Sequence, residues 1–349
     1  FKKNNYHIIE LIENKSFTLD KDFEIKLFKS HFYDSGLMIN INKLNILNLN
    51  DCPLNTDSEL NNFVKKYGVF DILLTQFSYA AWKGGKDNKK WREEAAKEKI
   101  NAIIKQCEIL KIKKLLPFAS YIYFSNSINS YLNDSINTPE IISNSIANKG
   151  VDVITLKPLE KQYLTNMKQN SDSKYFWIEK YSNINELPLI EYQDSIQLNS
   201  LNHSFEEYKK RIYNLNSKLL IYILSKINFL GIFSELNIFL IDHNKVIKYS
   251  ISKEIIYLDN NTLFDIKMHS SSLKFIFDND FGFDTLTVNG CFECNGNSFS
   301  KLAKNFSIGS LNTLGIKFNT LLLFNFRVLK LFLEQSIRVG KKLKNQFAL

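Results

Sequence analysis

Apolar positions in the first fifty residues gather into four short runs, "YHIIELI", "FEIKLFK", "GLMININ" and "LNILNLN", with polar turn residues between them. Runs of this length between turn signals predict strands, and four in succession predict an antiparallel meander over residues 6–50. The texture changes at Asp51. "DSELNNFVKK" (57–66) predicts a helix capped near Asp57 or Ser58, and "FDILLTQF" (70–77) predicts a strand. Ile100, Ile103, Ile104 and Cys107 recur at i, i+3, i+4 and i+7, the apolar face of a long helix over 88–112. A buried strand in "KKLLPFASYIYF" (113–124), a short helix with Pro139 in its first turn, and the strand "VDVITL" (151–156) follow. Strand and helix alternating in this way predict a layered α/β arrangement.

Residues 160–200 are polar and weakly periodic, which predicts a linker or excursion. Beyond them the order differs: a helix near 204–226, strands in "NIFLID", "KVIKYSI", "EIIYLD" and "LFDIKM", a short helix in "SSSLKFIFD", a strand in "DTLTVNG", then helices. Strands followed by segregated helices predict an α+β domain. The expected organisation is therefore a first domain over 1–160, a linker over 161–200 and an α+β accessory domain over 201–349.

Composition adds bounds. The 349 residues, 44% hydrophobic and 13% aromatic, can build packed cores in two domains. The formal charge of +9 is spread over 45 basic and 36 acidic residues with no long run of one sign, so a nucleic-acid partner is not expected. Four cysteines in a chain this long predict a reducing, cytoplasmic setting. The most apolar stretch, 320–333, carries Arg327 and Lys330 and falls short of the about 20 apolar residues a bilayer span needs. A core helix is expected there. The sequence begins on Phe rather than Met, and a piece of a longer protein is expected.

Candidate chemistry sits at strand ends. Asp51 closes an apolar strand, where a carboxylate costs stability unless it is paired, capping a turn or holding a metal. His31, Asp34 and Ser35 occupy the turn before the strand pair that delivers Asp51, and a His/Asp pair on one sheet edge suits a divalent metal. Solvated turn residues would look the same. Tyr79 and Trp82 in "TQFSYAAW", and Ser125 and Asn126 in "YFSNSIN", follow two further strands; residues in such places line the crevice of an α/β sheet or simply pack. "CFEC" (291–294) has neither the second ligand pair of a zinc site nor the strand–helix context of a thioredoxin-type pair.

"HFYDSGLMININKLNILNLNDC", "FDILLTQFSYAAW" and "LLPFASYIYFSNSINSYLND", in that order, resemble the second half of a metallo-β-lactamase-fold domain, in the branch with CMP-N-acetylneuraminate hydroxylase-like and lactonase-like metallohydrolases. The resemblance covers about residues 6–160. It implies an αββα sandwich whose N-terminal half is absent, followed by the smaller α+β domain. It implies a metal-dependent hydrolase of an ester, lactone or amide bond acting on a small-molecule substrate. Asp51 matches the carboxylate that can bridge two metals, and His31 falls near a family histidine. Asp34, Tyr79, Trp82, Ser125 and Asn126 would line the substrate pocket. The implied cofactor is a divalent metal, zinc or iron, with two metals only if further ligands are supplied.

Two departures matter. The H-x-H-x-D-H signature of the family occurs nowhere in the chain, and Asn126 stands where the family's last histidine is expected. They keep two alternatives open: a non-catalytic ligand-binding or scaffold protein derived from the fold, and a hydroxylase component related to the CMP-sialic acid enzymes, acting with a separate iron–sulfur module. "SSSLKFIFDNDFGFDTLTVNGCF" with "FSKLAKNF" faintly resembles sterol-carrier-like domains, which implies a lipid-like ligand; dimerisation, giving a homo-oligomer, is the other reading of this part.

Overall fold

The computed structural model describes residues 8–30, 34–192, 194–227 and 230–319. They form two compact units. Unit 1 takes the chain up to Lys83, Asn88–Ser125 and Leu132–Pro188; unit 2 takes Gly84–Asp87, Asn126–Tyr131 and the chain from Leu189 onward.

Unit 1 is built on one sheet whose spatial order follows the chain: β1 (Ser16–Asp20), β2 (Phe23–Ser30), β3 (Asp34–Ile41), β4 (Leu44–Asn50), β5 (Ile72–Gln76), β6 (Lys114–Phe118) and β7 (Asp152–Val153). The first four strands pair antiparallel. The two-residue turn joining β3 to β4 has positive φ at both Asn42 and Lys43, the twist that suits a tight hairpin. From β4 to β7 every pairing is parallel, and parallel neighbours need crossovers. These are α1 (Asp57–Tyr67), α2 (Lys89–Leu110) and α3 (Pro139–Ile146); α4 (Ser171–Ser182) follows β7.

One face of this sheet carries the main core, where Leu47, Leu49, Leu73, Phe77 and Leu115 meet Leu60 and Phe63 of α1, Ile103 and Cys107 of α2, and Ile142 and Ile146 of α3. A thinner cluster of Ile46, Ile72, Ile154 and Met167 forms separately. The alternation of strand and helix expected over 57–160 is present. The run at 8–12 forms no strand; "SFTLD" supplies the edge strand β1 instead. The segment 161–200, polar in sequence, contains α4, whose Trp177 stacks on Tyr121 at 4.1 Å and donates from Nε1 to Leu156 O at 2.9 Å. One half-buried aromatic anchor thus packs down a segment that periodicity alone leaves irregular.

Unit 2 opens with α5 (Leu198–Leu215) and α6 (Lys218–Lys226), followed by a sheet of β8 (Leu236–Leu240), β9 (Lys245–Tyr249), β10 (Ile256–Leu258), β11 (Ile266–Met268) and β12 (Glu293–Cys294), in the spatial order β10-β9-β8-β11-β12. Its other helices are α7 (Ser270–Asp278), α8 (Gly282–Asn289), α9 (Gly296–Phe306) and α10 (Ile308–Thr313). Phe205, Tyr208, Tyr249, Phe277 and Phe306 form an aromatic core.

Two expectations differ here. The single helix over 204–226 is broken at Asn216, whose backbone is extended; its amide donates to Ile212 O and Asn312 Oδ1 while its Oδ1 accepts from Phe318 N. "DTLTVNG", read as a strand, lies in α8 and is closed by Gly290 in the left-handed conformation. Phe283 and Leu286, three apart and both buried, override the strand preference of the β-branched residues around them. Among the described residues no helix is long and apolar enough to cross a membrane, and the 320–333 stretch lies outside them.

Candidate functional site

The carboxyl ends of the parallel strands lie on one edge of the unit 1 sheet, where α/β proteins place ligands. β4 delivers Asp51 to this edge. Leu47 and Leu49 are fully buried, the pairing with β5 shifts by one residue between Asn48 and Asn50, and Asn50 turns left-handed with φ of 50°. The turn is closed without Asp51: Asn48 Oδ1 accepts from Asn50 N at 3.0 Å, and Leu49 O accepts from Cys52 N at 2.8 Å. Helix α1 has its own cap. Thr56 Oγ1 accepts from Glu59 N at 3.2 Å, and Glu59 Oε2 accepts from Thr56 N at 3.1 Å. Asp51 is exposed, and among the described residues its carboxylate accepts one hydrogen bond, from Asn50 Nδ2 at 2.8 Å.

The neighbours of Asp51 are unlike those of an ordinary turn carboxylate. Cys52 is buried, and burial, with the carboxylates of Asp34 and Asp51 behind it, pushes its thiol up to about 11 against an opposing hydrogen bond with Ser30. Burial thus keeps the thiol protonated at neutral pH and a weak nucleophile. Asp34 begins β3 opposite Ser30. His31 lies outside the described residues. On the helix side, Lys99 of α2 donates to Gln76 Oε1 at the end of β5. Burial holds the Lys99 ammonium below its usual range, Lys83 nearby adds to this, and Asp51 and Glu98 oppose it. Lys83 is lowered by burial as well, with Glu98 opposing. The edge thus gathers two carboxylates, a neutral thiol and two partly buried amines.

Tyr79, which follows β5, is buried with its hydroxyl donating to Leu132 O at 2.5 Å, and Trp82 is buried against Trp91. Ser125 is half-buried. Asn126, in unit 2, uses both ends of its amide within that unit: Nδ2 donates to Ile190 O at 2.7 Å and Oδ1 accepts from Ile128 N at 3.0 Å. A further residue of unit 1 escaped sequence reasoning. Asn137, buried, donates to both Phe77 O and Ala96 O, while its N donates to Ser78 Oγ, tying the end of β5 to α2. Nothing in its sequence context marks it.

Among the described residues this edge supplies only part of a metal centre. Asp34 and Asp51 are hard oxygen donors, but a tetrahedral zinc site takes four ligands, and among the described residues no group of three or more His, Cys, Asp or Glu is placed to hold an ion. The "CFEC" cysteines carry free thiols; burial raises both, Cys294 to about 12.

Unit 2 holds a second ionisable cluster, also invisible in sequence. Asp242, in the turn after β8, accepts from Ser270 N at 2.9 Å and from the Ser270 hydroxyl. Burial works against its charge, but the bonds from Ser270, with His269 adding to them, win, and the carboxyl sits below its usual range. His269 caps α7: its Nδ1 accepts from Ser271 N at 3.1 Å, its Nε2 faces Asp242 at 3.6 Å, and Tyr192 stacks on its ring at 4.0 Å. Burial outweighs the carboxylate and keeps the imidazole neutral.

No protein-family model matches the chain, and no curated protein does. Among solved structures it is similar to a mutant form of CmlA beta-hydroxylase, with 8% identity and a TM-score of 0.30 over 43% of this chain and 32% of that one. It is similar too to CmlA, a diiron beta-hydroxylase from Streptomyces venezuelae, with 9% identity and a TM-score of 0.27 over 42% of this chain and 33% of that one. The chain thus spans about a third of the length of these structures. A likeness this slight decides neither fold nor chemistry.

Proposed function

We propose that unit 1 is the second half of a metallo-β-lactamase-like metallohydrolase domain and that Asp51 is one of its metal ligands. The observation that supports this is the state of Asp51. It ends a buried strand at the ligand edge of the sheet, yet the turn and the helix beyond are capped by Asn48, Thr56 and Glu59. A carboxylate kept at a strand end without a structural task fits a ligand role. The quoted motifs over 6–160 add the family resemblance.

A bound divalent metal would polarise a carbonyl and lower the pKa of its water to about 7. Asp51 would hold that ion, with Asp34 beside it and His31, three residues before Asp34 in the sequence, as a further donor. Cys52, neutral and buried, would support the wall. Since the donors are fewer than a closed site needs, no bond-breaking step is assigned to them. The test is metal content: purified protein offered zinc or iron should retain near-stoichiometric metal, and Asp51→Asn should lose it. Equal content in both proteins would sink the reading.

A second reading, binding without catalysis, rests on Lys83 and Lys99. Two partly buried amines close to each other, Lys99 bonded to Gln76, favour an anionic ligand at this edge. Anion-dependent stabilisation that persists in metal-free protein and disappears in Lys99→Met would select it.

A further inference from the structure

Away from Asp51, unit 1 contains a cleft of about 200 Å³ between α3 and α4, lined by Thr138, Glu140, Lys174, Trp177, Ile178 and Tyr181 among others. Its walls are fixed. Thr138 caps α3 by accepting from Ile141 N, Trp177 is held by Leu156 O and by the Tyr121 ring, and Tyr181 donates to Ser120 O at 3.4 Å. The cleft is therefore a preformed recess.

Its charges are the informative part. Glu140 on α3 and Lys174 on α4 both line the recess, and among the described residues neither side chain has an ion-pair or hydrogen-bond partner. They stay more than the 4.0 Å of an ion pair from each other. Isolated exposed charges are ordinarily just solvated. These two differ in sharing one recess with an aromatic and an aliphatic side chain between polar walls. A ligand with one charge would answer one of them and leave the other facing it uncompensated. A ligand carrying an ammonium and a carboxylate would answer both, with its hydrocarbon part against Trp177 and Ile178.

We infer that this cleft binds a small zwitterion of the α-amino-acid class, its ammonium on Glu140 and its carboxylate on Lys174. The volume agrees: a recess of about 200 Å³ has room for a free amino acid. One carboxylate is too few for a metal, and one lysine too few for a polyanion. The inference does not depend on Asp51 holding a metal.

The test is saturation-transfer NMR and calorimetry on the full chain with L-leucine, isopentylamine and 4-methylpentanoate. L-Leucine should bind at least about tenfold more tightly than either singly charged analogue, the discrimination expected of one charge-assisted contact. Glu140→Gln should cost L-leucine about tenfold and erase its advantage over 4-methylpentanoate. Lys174→Gln should cost about as much and erase its advantage over isopentylamine. Both positions are exposed, so unchanged melting temperatures will confirm that the variants fold. No binding of L-leucine, binding no tighter than that of the analogues, or affinity unmoved by either substitution would each overturn the inference.

Discussion

Unit 1 and unit 2 each bring an aspartate to the end of a buried strand, and they use it in opposite ways. Asp242 follows β8 and is consumed by the structure: Ser270 bonds it twice, and His269 faces it across the start of α7. Asp51 follows β4 and, among the described residues, takes one bond from a neighbouring amide while other residues cap the turn. The same residue at the same kind of strand end is a structural element in one unit and, on the proposed reading, a ligand in the other. What separates them is how many of a carboxylate's acceptor sites the fold itself fills.

The widest gap should appear on deletion. The Asp242 side chain is 6% exposed, and Asp242→Ala strips Ser270 N of its acceptor inside the unit, so chemical denaturation should show a loss of about 2–4 kcal/mol. Acid should act in the same direction. Asp242 and His269 both titrate below their ordinary values in the fold, so an unfolded chain binds protons more readily than the folded one. The stability they contribute is complete above about pH 6.5, and it declines as pH falls, first through His269 and then, below about pH 4, through Asp242. Thermal melts from pH 7.5 downward should therefore show a fall that is shallower in His269→Asn, which keeps a capping acceptor but does not titrate. An equal fall in both would remove His269 from the account.

Effects around Asp51 should be smaller and should divide by role. Thr56→Ala removes the cap of α1 and should cost about 1 kcal/mol. Asp51→Asn should cost about 0.5 kcal/mol or less, as for a surface change that touches no cap or network. If the two changes cost the same, Asp51 has a structural task that its hydrogen bonds do not reveal.

The contrast also shows what was readable in the sequence. The strand–helix alternation over 57–160 was legible because β4, β5, β6 and α2 carry apolar residues at the right period and their buried faces use that period. Helix α8 was not, since Thr285, Thr287 and Val288 favour a strand locally and only the burial of Phe283 and Leu286 decides otherwise. The break at Asn216 was hidden because its partner Asn312 is 96 residues away. Asp51 stood out as a polar strand end, but the fact that Asn48 and Thr56 free it from capping is three-dimensional. The Asp242–His269 cluster left no trace because Asp242 and Ser270 lie 28 residues apart. Local period is written in sequence; long-range satisfaction of polar groups is not.

The most direct test of Asp51 as a ligand is Mn²⁺ titration of the isotopically labelled chain followed by NMR, since paramagnetic broadening reports even weak, incompletely ligated binding at a defined place. The prediction is that the amide signals of Asp34, Asp51 and Cys52 broaden first, at sub-stoichiometric Mn²⁺, and that Asp51→Asn abolishes this while leaving the rest of the spectrum unchanged. Broadening that persists in Asp51→Asn, or that begins elsewhere in the chain, would contradict it.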